Sequence, residues 1–233
     1  MEKAYKNIGL FIIIVLAFVI LGFYNSYYGL IPSFKGVSVP MHIHGAIMLS
    51  WFLLLIVQPI LIRQNKFELH KKLGKISYVL APLVVLSILL VSKAQYVRNF
   101  NLQTRKDNIA ILTLDLPLAF TFTTFYILAM LNKKRTAYHM RYMISTALLI
   151  MIAGTVRVFM NYFGIEFQQA ILFGWLVIVG LTLFFIIHDL AKKSSYKPYL
   201  LALLFFVSNY FIWLCRYTPG WQAFGGKWAD LFY

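Results

Sequence analysis

Acidic side chains are scarce in this chain: seven aspartates and glutamates stand against 22 lysines and arginines, and charged residues make up only 12% of its 233 positions. So little charge in a chain that is 61% hydrophobic, with a mean hydropathy of +0.75, excludes a soluble globular domain, which needs far more polar surface. Cysteine is nearly absent too. Cys215 stands alone, so there is no intramolecular disulfide and no C-x-x-C redox or cluster motif. Also missing are a phosphate loop, a G-x-S-x-G nucleophile elbow, an H-E-x-x-H pair and a lysine in the middle of an apolar run that could carry a retinal Schiff base. The composition is too apolar for a membrane β-barrel, whose strands alternate. An all-α bundle of transmembrane helices is left, because helices satisfy every backbone amide within lipid.

Roughly 20 apolar residues cross a bilayer core, and seven such runs are present, near 8–31, 42–62, 73–96, 109–131, 140–163, 168–190 and 197–217. The breaks between them are polar and short ("VRNFNLQTRKDN", "NKKRTAYHMR", "KKSSYK"), so residues 1–233 read as one seven-helix transmembrane domain without internal repeats. No small-residue cleavage site follows the first run, which reads as a retained helix rather than a signal peptide. The net charge of +15 could suggest nucleic acid, but the cations cluster between apolar runs, as topology and anionic lipid headgroups explain better. Lys3, Lys6 and the loops after the second, fourth and sixth spans hold fourteen lysines and arginines, and the opposite loops and tail hold seven. That bias puts the N-terminus in the cytoplasm and the C-terminus outside, in a bacterial inner membrane. The segment 97–108 runs against it, with Arg98, Arg105 and Lys106 on the outer side.

The unusual residues fall into two layers. His42 and His44 open the second span in "SVPMHIHGAIMLSW", and Asp115 and Arg157 each lie ~9 Å below the same outer surface on consecutive antiparallel helices. Opposite charges at matched depth should pair, because a lone charge is costly in lipid. Asn161 lies one turn above Arg157, and Asn209 belongs to the outer half of the last span. The structural account of this layer is an Asp–Arg clasp plus interfacial histidines. The functional account is a polar cavity open to the outer face, with His42 or His44 as its titrating or ligating group.

The inner layer contains His70 in "ELHKKLG", His139 in "AYHMRYM" and His188 in "IIHDLAKK", beside Asp189. Histidine is tolerated at helix ends, so this layer too has a purely structural account. Three imidazoles with an adjacent carboxylate match a catalytic zinc set; alternatively, two on different helices could clamp a b-type haem. Lys71, Lys72, Arg135, Arg141 and Lys192 could serve haem propionates, although positive-inside topology expects them anyway. Residues two apart on a helix point about 200° from each other, so His42 and His44 share a metal only if the helix starts after His42. In that case Met41 and Met48 would permit copper. Pro59, Pro82 and Pro117 lie within spans, with Gln58 able to satisfy a carbonyl freed by Pro59.

"HIHGAIMLSWFLLLIVQPILI", "LHKKLGKISYVLAPL" and "YHMRYMISTALLI" together resemble a family of small bacterial multi-helix membrane proteins of unassigned function, over about residues 40–190. More loosely, His44, Gly45, Trp51, Arg63 and His70 resemble the "HG…W" and "R…H" pattern of b-type transmembrane cytochromes linked to ascorbate electron transfer. That resemblance implies His44, His70 and His139 as haem ligands. "HMRYM" is similar to small membrane proteins that assist haem–copper oxidase assembly.

The expectation is therefore a histidine-ligated haem b or metal protein with a redox role. His70 and His139 are its inner ligands, His188 is the third ligand or a hydrogen-bond partner, and Asp189 orients His188. His44 is the leading outer residue. Partners would be membrane lipids and a quinone or redox protein, not nucleic acid. Two other classes stay open: a zinc-dependent membrane hydrolase of a lipid amide or ester, and a transporter or receptor using the outer cavity.

Overall fold

The computed structural model describes residues 5–233; Lys3, one of the N-terminal cations counted above, lies outside them. The chain is an all-helical, multi-pass membrane protein, and no strand occurs among the described residues. The helices are α1 (Ile8–Phe23), α2 (Val39–Arg63), α3 (Phe67–Gly74), α4 (Ser77–Asn99), α5 (Arg105–Leu131), α6 (Thr136–Phe163), α7 (Phe167–Ala191), α8 (Lys197–Leu214) and α9 (Pro219–Phe232). Among the described residues, six stretches are long and apolar enough to cross a bilayer: α2, α3 with α4, and α5 to α8. At 16 residues, about 24 Å of rise, α1 is apolar throughout but shorter than a full span.

Local chemistry explains where the helices begin and end. Pro40 sits in the first turn of α2, where its missing N–H costs nothing, and the helix is under way before either histidine. Thr104 caps α5 reciprocally: its oxygen accepts from the Asp107 N–H at 3.1 Å, and its hydroxyl donates to the Asp107 carboxylate at 2.6 Å. Gly164 ends α6 in the left-handed region at φ 65°. The three intraspan prolines lie inside α2, α4 and α5.

α6 is the central post. In its most apolar window 72% of residues are buried, against at most 44% in any other span. α1 reaches it through glycine: a Cβ on Gly22 would collide with the Gly154 carbonyl, and one on Gly154 would come within 2.8 Å of the Val19 Cα. Small residues let two backbones meet where lipid provides no hydrophobic drive. Asn161 secures the same seam by donating to the Gly22 carbonyl at 3.2 Å. On the other side α2, α4, α5 and α6 form a ring, with α7 and α8 packed behind α6. That ring carries most of the polar residues singled out above.

Candidate functional site

Trp51 divides the ring into two compartments. It is fully buried, its indole N–H donates to the Thr146 hydroxyl at 3.2 Å, and Phe122 and Tyr126 meet it edge-on at 5.0 and 5.8 Å. Polar groups lie on either side of this septum, about 21 Å apart along α2 from His44 to Gln58.

At the His44 end, α2, α4, α5 and α6 contribute one group or more each. The Ser87 hydroxyl donates to the Val84 carbonyl at 2.8 Å, so its oxygen accepts from His44 Nδ1–H at 3.0 Å. That leaves His44 Nε2 as an unprotonated lone pair. Arg157 lies within electrostatic reach of both His44 and Asp115. Asp115 and Arg157 do not close into the expected clasp; no contact ion pair joins them. The guanidinium is held back by its own helix, donating to the Ala153 carbonyl at 3.0 Å, and lies over the Phe23 ring at 4.3 Å. Asp115 instead faces Ser92 on α4. All three ionisable side chains are half-buried.

Two members of the expected outer cluster belong elsewhere. The His42 Nδ1 lies 2.9 Å from the Tyr27 hydroxyl, with the Phe34 ring edge-on at 4.9 Å, in the cap formed by the loop before α2. Because α2 starts at Val39, His42 and His44 point apart as an ordinary helix requires, and the shared-metal geometry that copper needed is not formed. Asn209 is buried between α8 and α5, donating to the Thr121 hydroxyl at 2.8 Å and the Phe205 carbonyl at 2.7 Å.

At the opposite end, His139 Nδ1–H donates to the Ala129 carbonyl at 2.9 Å, again leaving Nε2 free. His70 lies within electrostatic reach of His139. Gln58 does not serve the carbonyl freed by Pro59. Its amide accepts from the Gly74 N–H at 3.1 Å, donates to the His70 carbonyl at 3.2 Å and meets His70 Nδ1. With Nδ1 taken as an acceptor, the His70 proton sits on Nε2, the opposite tautomer to His139. Tyr126 completes this compartment through a 3.0 Å bond to Ser77.

His188 and Asp189 stand apart from this pair. Asp189 is not the orienter of His188; their nearest atoms are 3.8 Å apart. Its carboxylate takes a bidentate pair from Arg141, Nε at 2.6 Å and Nη2 at 2.9 Å, and a third bond from the Tyr5 hydroxyl at 2.7 Å. Both charged side chains are fully buried. Arg141, which sequence reasoning left among the interfacial cations, is thus the link between α6 and α7. Burial, and then the bond to Asp189, push the Tyr5 phenol well above its ordinary pKa. His188 lies edge-on to Tyr5 at 5.5 Å. Among the described residues, no three His, Cys, Asp or Glu side chains converge as a metal-ligand group.

Ser87 and Ser92 were missed in the sequence; their signal was two hydroxyls on one span at the depth of Asp115 and Arg157. No family model, curated protein or solved structure matches this chain, so its function has to be read from these side chains.

Proposed function

We propose that this is a multi-pass protein of a bacterial inner membrane that binds a small zwitterionic ligand in an outward-facing cleft, as a transporter or receptor does. One observation carries the reading: Asp115 and Arg157, of opposite charge and half-buried in facing helices, lie within each other's field without pairing. Intramembrane charges are expensive, and two left apart at one depth suit a ligand that brings the complementary ammonium and anion. Arg157 and His44 receive the anionic group, Asp115 the cationic one, and Trp51 with Phe122 closes the floor. The cytoplasmic N-terminus, the outer C-terminus and a seventh crossing by α1 belong to this proposal and rest on the lysine and arginine bias.

The test is thermal unfolding of the purified protein in mild detergent against a panel of amino acids at millimolar concentration. At least one should raise the melting temperature, and Asp115→Asn and Arg157→Met should each abolish the shift. A panel that shifts nothing, or a shift that survives both substitutions, refutes the reading.

The haem or redox-metal reading keeps one specific observation in its favour. His44 and His139 both have Nδ1 pinned to an acceptor with Nε2 left free, the arrangement that orients ligating imidazoles. His139 would hold the haem iron through its free Nε2; His70 would do so only if the Gln58 amide turns and the ring changes tautomer. A bound haem would supply one-electron chemistry to a quinone or a redox partner protein. An absorbance spectrum, oxidised and then reduced, decides: a Soret band lost in His139→Ala supports haem, and its absence from protein supplied with haem removes it. The zinc-hydrolase reading lacks its carboxylate, since Asp189 is engaged by Arg141 and Tyr5.

A further inference from the structure

The last helix, α9, folds back over the His44 end of the ring. It buries Ala229 against Tyr96, Ile109 and Leu112, with Trp221, Trp228 and Tyr233 packed around that seam. Gly225 permits the close approach: a Cβ there would lie 2.7 Å from the Ile109 Cγ2. The fastenings at its rim are exposed. Arg105 meets Asp230 at 2.6 Å with side chains 53% and 64% exposed, and Lys93 donates to the Phe232 carbonyl at 2.8 Å. Exposed links of this kind hold an element weakly.

Beneath the helix the chemistry is different. Six buried side-chain polar atoms have no hydrogen-bond partner among the described residues, and three of them are gathered here: Ser92 Oγ, Trp228 Nε1 and the Tyr233 hydroxyl. The Tyr233 hydroxyl approaches Ser92 and Trp228 without closing a bond and lies in the field of Asp115, and Ser92 in turn approaches the Asp115 carboxyl. Orphaned buried donors are costly singly, and three along one seam, with Ser92 against the Asp115 carboxyl, mark a place where something else supplies the partners. A purely structural α9 would place apolar atoms there.

We infer that α9 is part of the binding site: Trp228 and Tyr233, with Ser92, wall an Asp115 subsite that takes a ligand's ammonium group with an adjoining hydroxyl or carbonyl oxygen, reached by displacing α9. The inference rests on the outward-facing cleft proposed above. It adds three donors to the site and a route to it. The ammonium meets Asp115, and the neighbouring oxygen accepts from the indole N–H and the two hydroxyls.

Because Cys215 is the only cysteine, a Cys215→Ser background allows a single reporter thiol. Ser92→Cys in that background is reacted with a cationic and an anionic methanethiosulfonate of equal size, and Leu116→Cys serves as a second reporter under the same helix. Unfastening α9 with Arg105→Ala and Asp230→Ala should speed labelling about two- to fivefold, while an exposed Lys227→Cys control keeps its rate. The cationic reagent should react several-fold faster than the anionic one, and Asp115→Asn should erase that preference. Rates unchanged by unfastening at both reporters overturn the role of α9, and equal rates for the two reagents overturn the cationic subsite. A failure here beside an intact amino-acid thermal shift would sink this inference and leave the cleft. Success here without any thermal shift would leave a cation-selective pocket under α9 and remove the amino-acid ligand.

Discussion

The Arg141–Asp189 pair yields a prediction whose size follows from its burial. Asp189 has two hydrogen-bonding neighbours for its charge: Arg141 through two bonds and the Tyr5 hydroxyl at 2.7 Å. Arg141→Met keeps much of the side-chain volume but strands a fully buried carboxylate on one phenol. Removing one partner of a buried ion pair costs about 3–5 kcal/mol. For a chain of this size each kcal/mol moves the melting midpoint by about 2–4 °C, so the variant should melt roughly 6–20 °C lower. Adding Asp189→Leu removes the stranded charge and replaces the pair with apolar contact, which is often close to neutral, so the double variant should recover most of the loss. The assay is thermal unfolding in mild detergent on wild type, both singles and the double, read as a double-mutant cycle. A single-variant loss below about 1 kcal/mol, or a double variant as unstable as the sum of the singles, would refute the argument that the buried charge must be matched.

Other perturbations test the rest of the framework. Trp51→Phe removes the indole bond while the Thr146 hydroxyl still donates to the Met143 carbonyl, so melting curves should show a loss of about 1–2 kcal/mol; Trp51→Ala should cost about 3–5 kcal/mol by opening the septum. Gly154→Val forces a side chain onto the Val19 backbone and should lower stability by about 1–3 kcal/mol, with α1 becoming accessible to protease before the other helices. The Tyr217 hydroxyl donates to Asp107 at 2.9 Å, and that bond first, with burial second, raises the phenol above its ordinary value of 10.0. Its contribution is therefore present below pH 10 and lost as pH rises through the raised value. The melting-temperature gap between wild type and Tyr217→Phe should be constant from pH 7 to about 9.5 and close above it; a gap that widens with pH would contradict the assignment.

Depth along the membrane normal was legible in the sequence, and direction around each helix was not. Counting residues from the polar breaks put Asp115 and Arg157 at one level, and the five histidines near the two ends, because rise per residue is constant. The same arithmetic missed the pairing. These spans are apolar on all sides, so no 3.6-residue stripe states which face turns inward. Packing decided it. The Gly22–Gly154 contact brings α1 onto α6 and offers Phe23 to Arg157, leaving Asp115 to Ser92 and the underside of α9. Asp189 likewise sat beside His188 in the chain, yet consecutive residues on a helix diverge by about 100°, and burial against Arg141 turned its carboxylate to the guanidinium. Composition determined that this protein lives in a membrane as helices and set the level of each polar group. Which of those groups meet was decided only when contacts such as Gly22–Gly154 and the burial of Trp51 settled how the helices turn against each other.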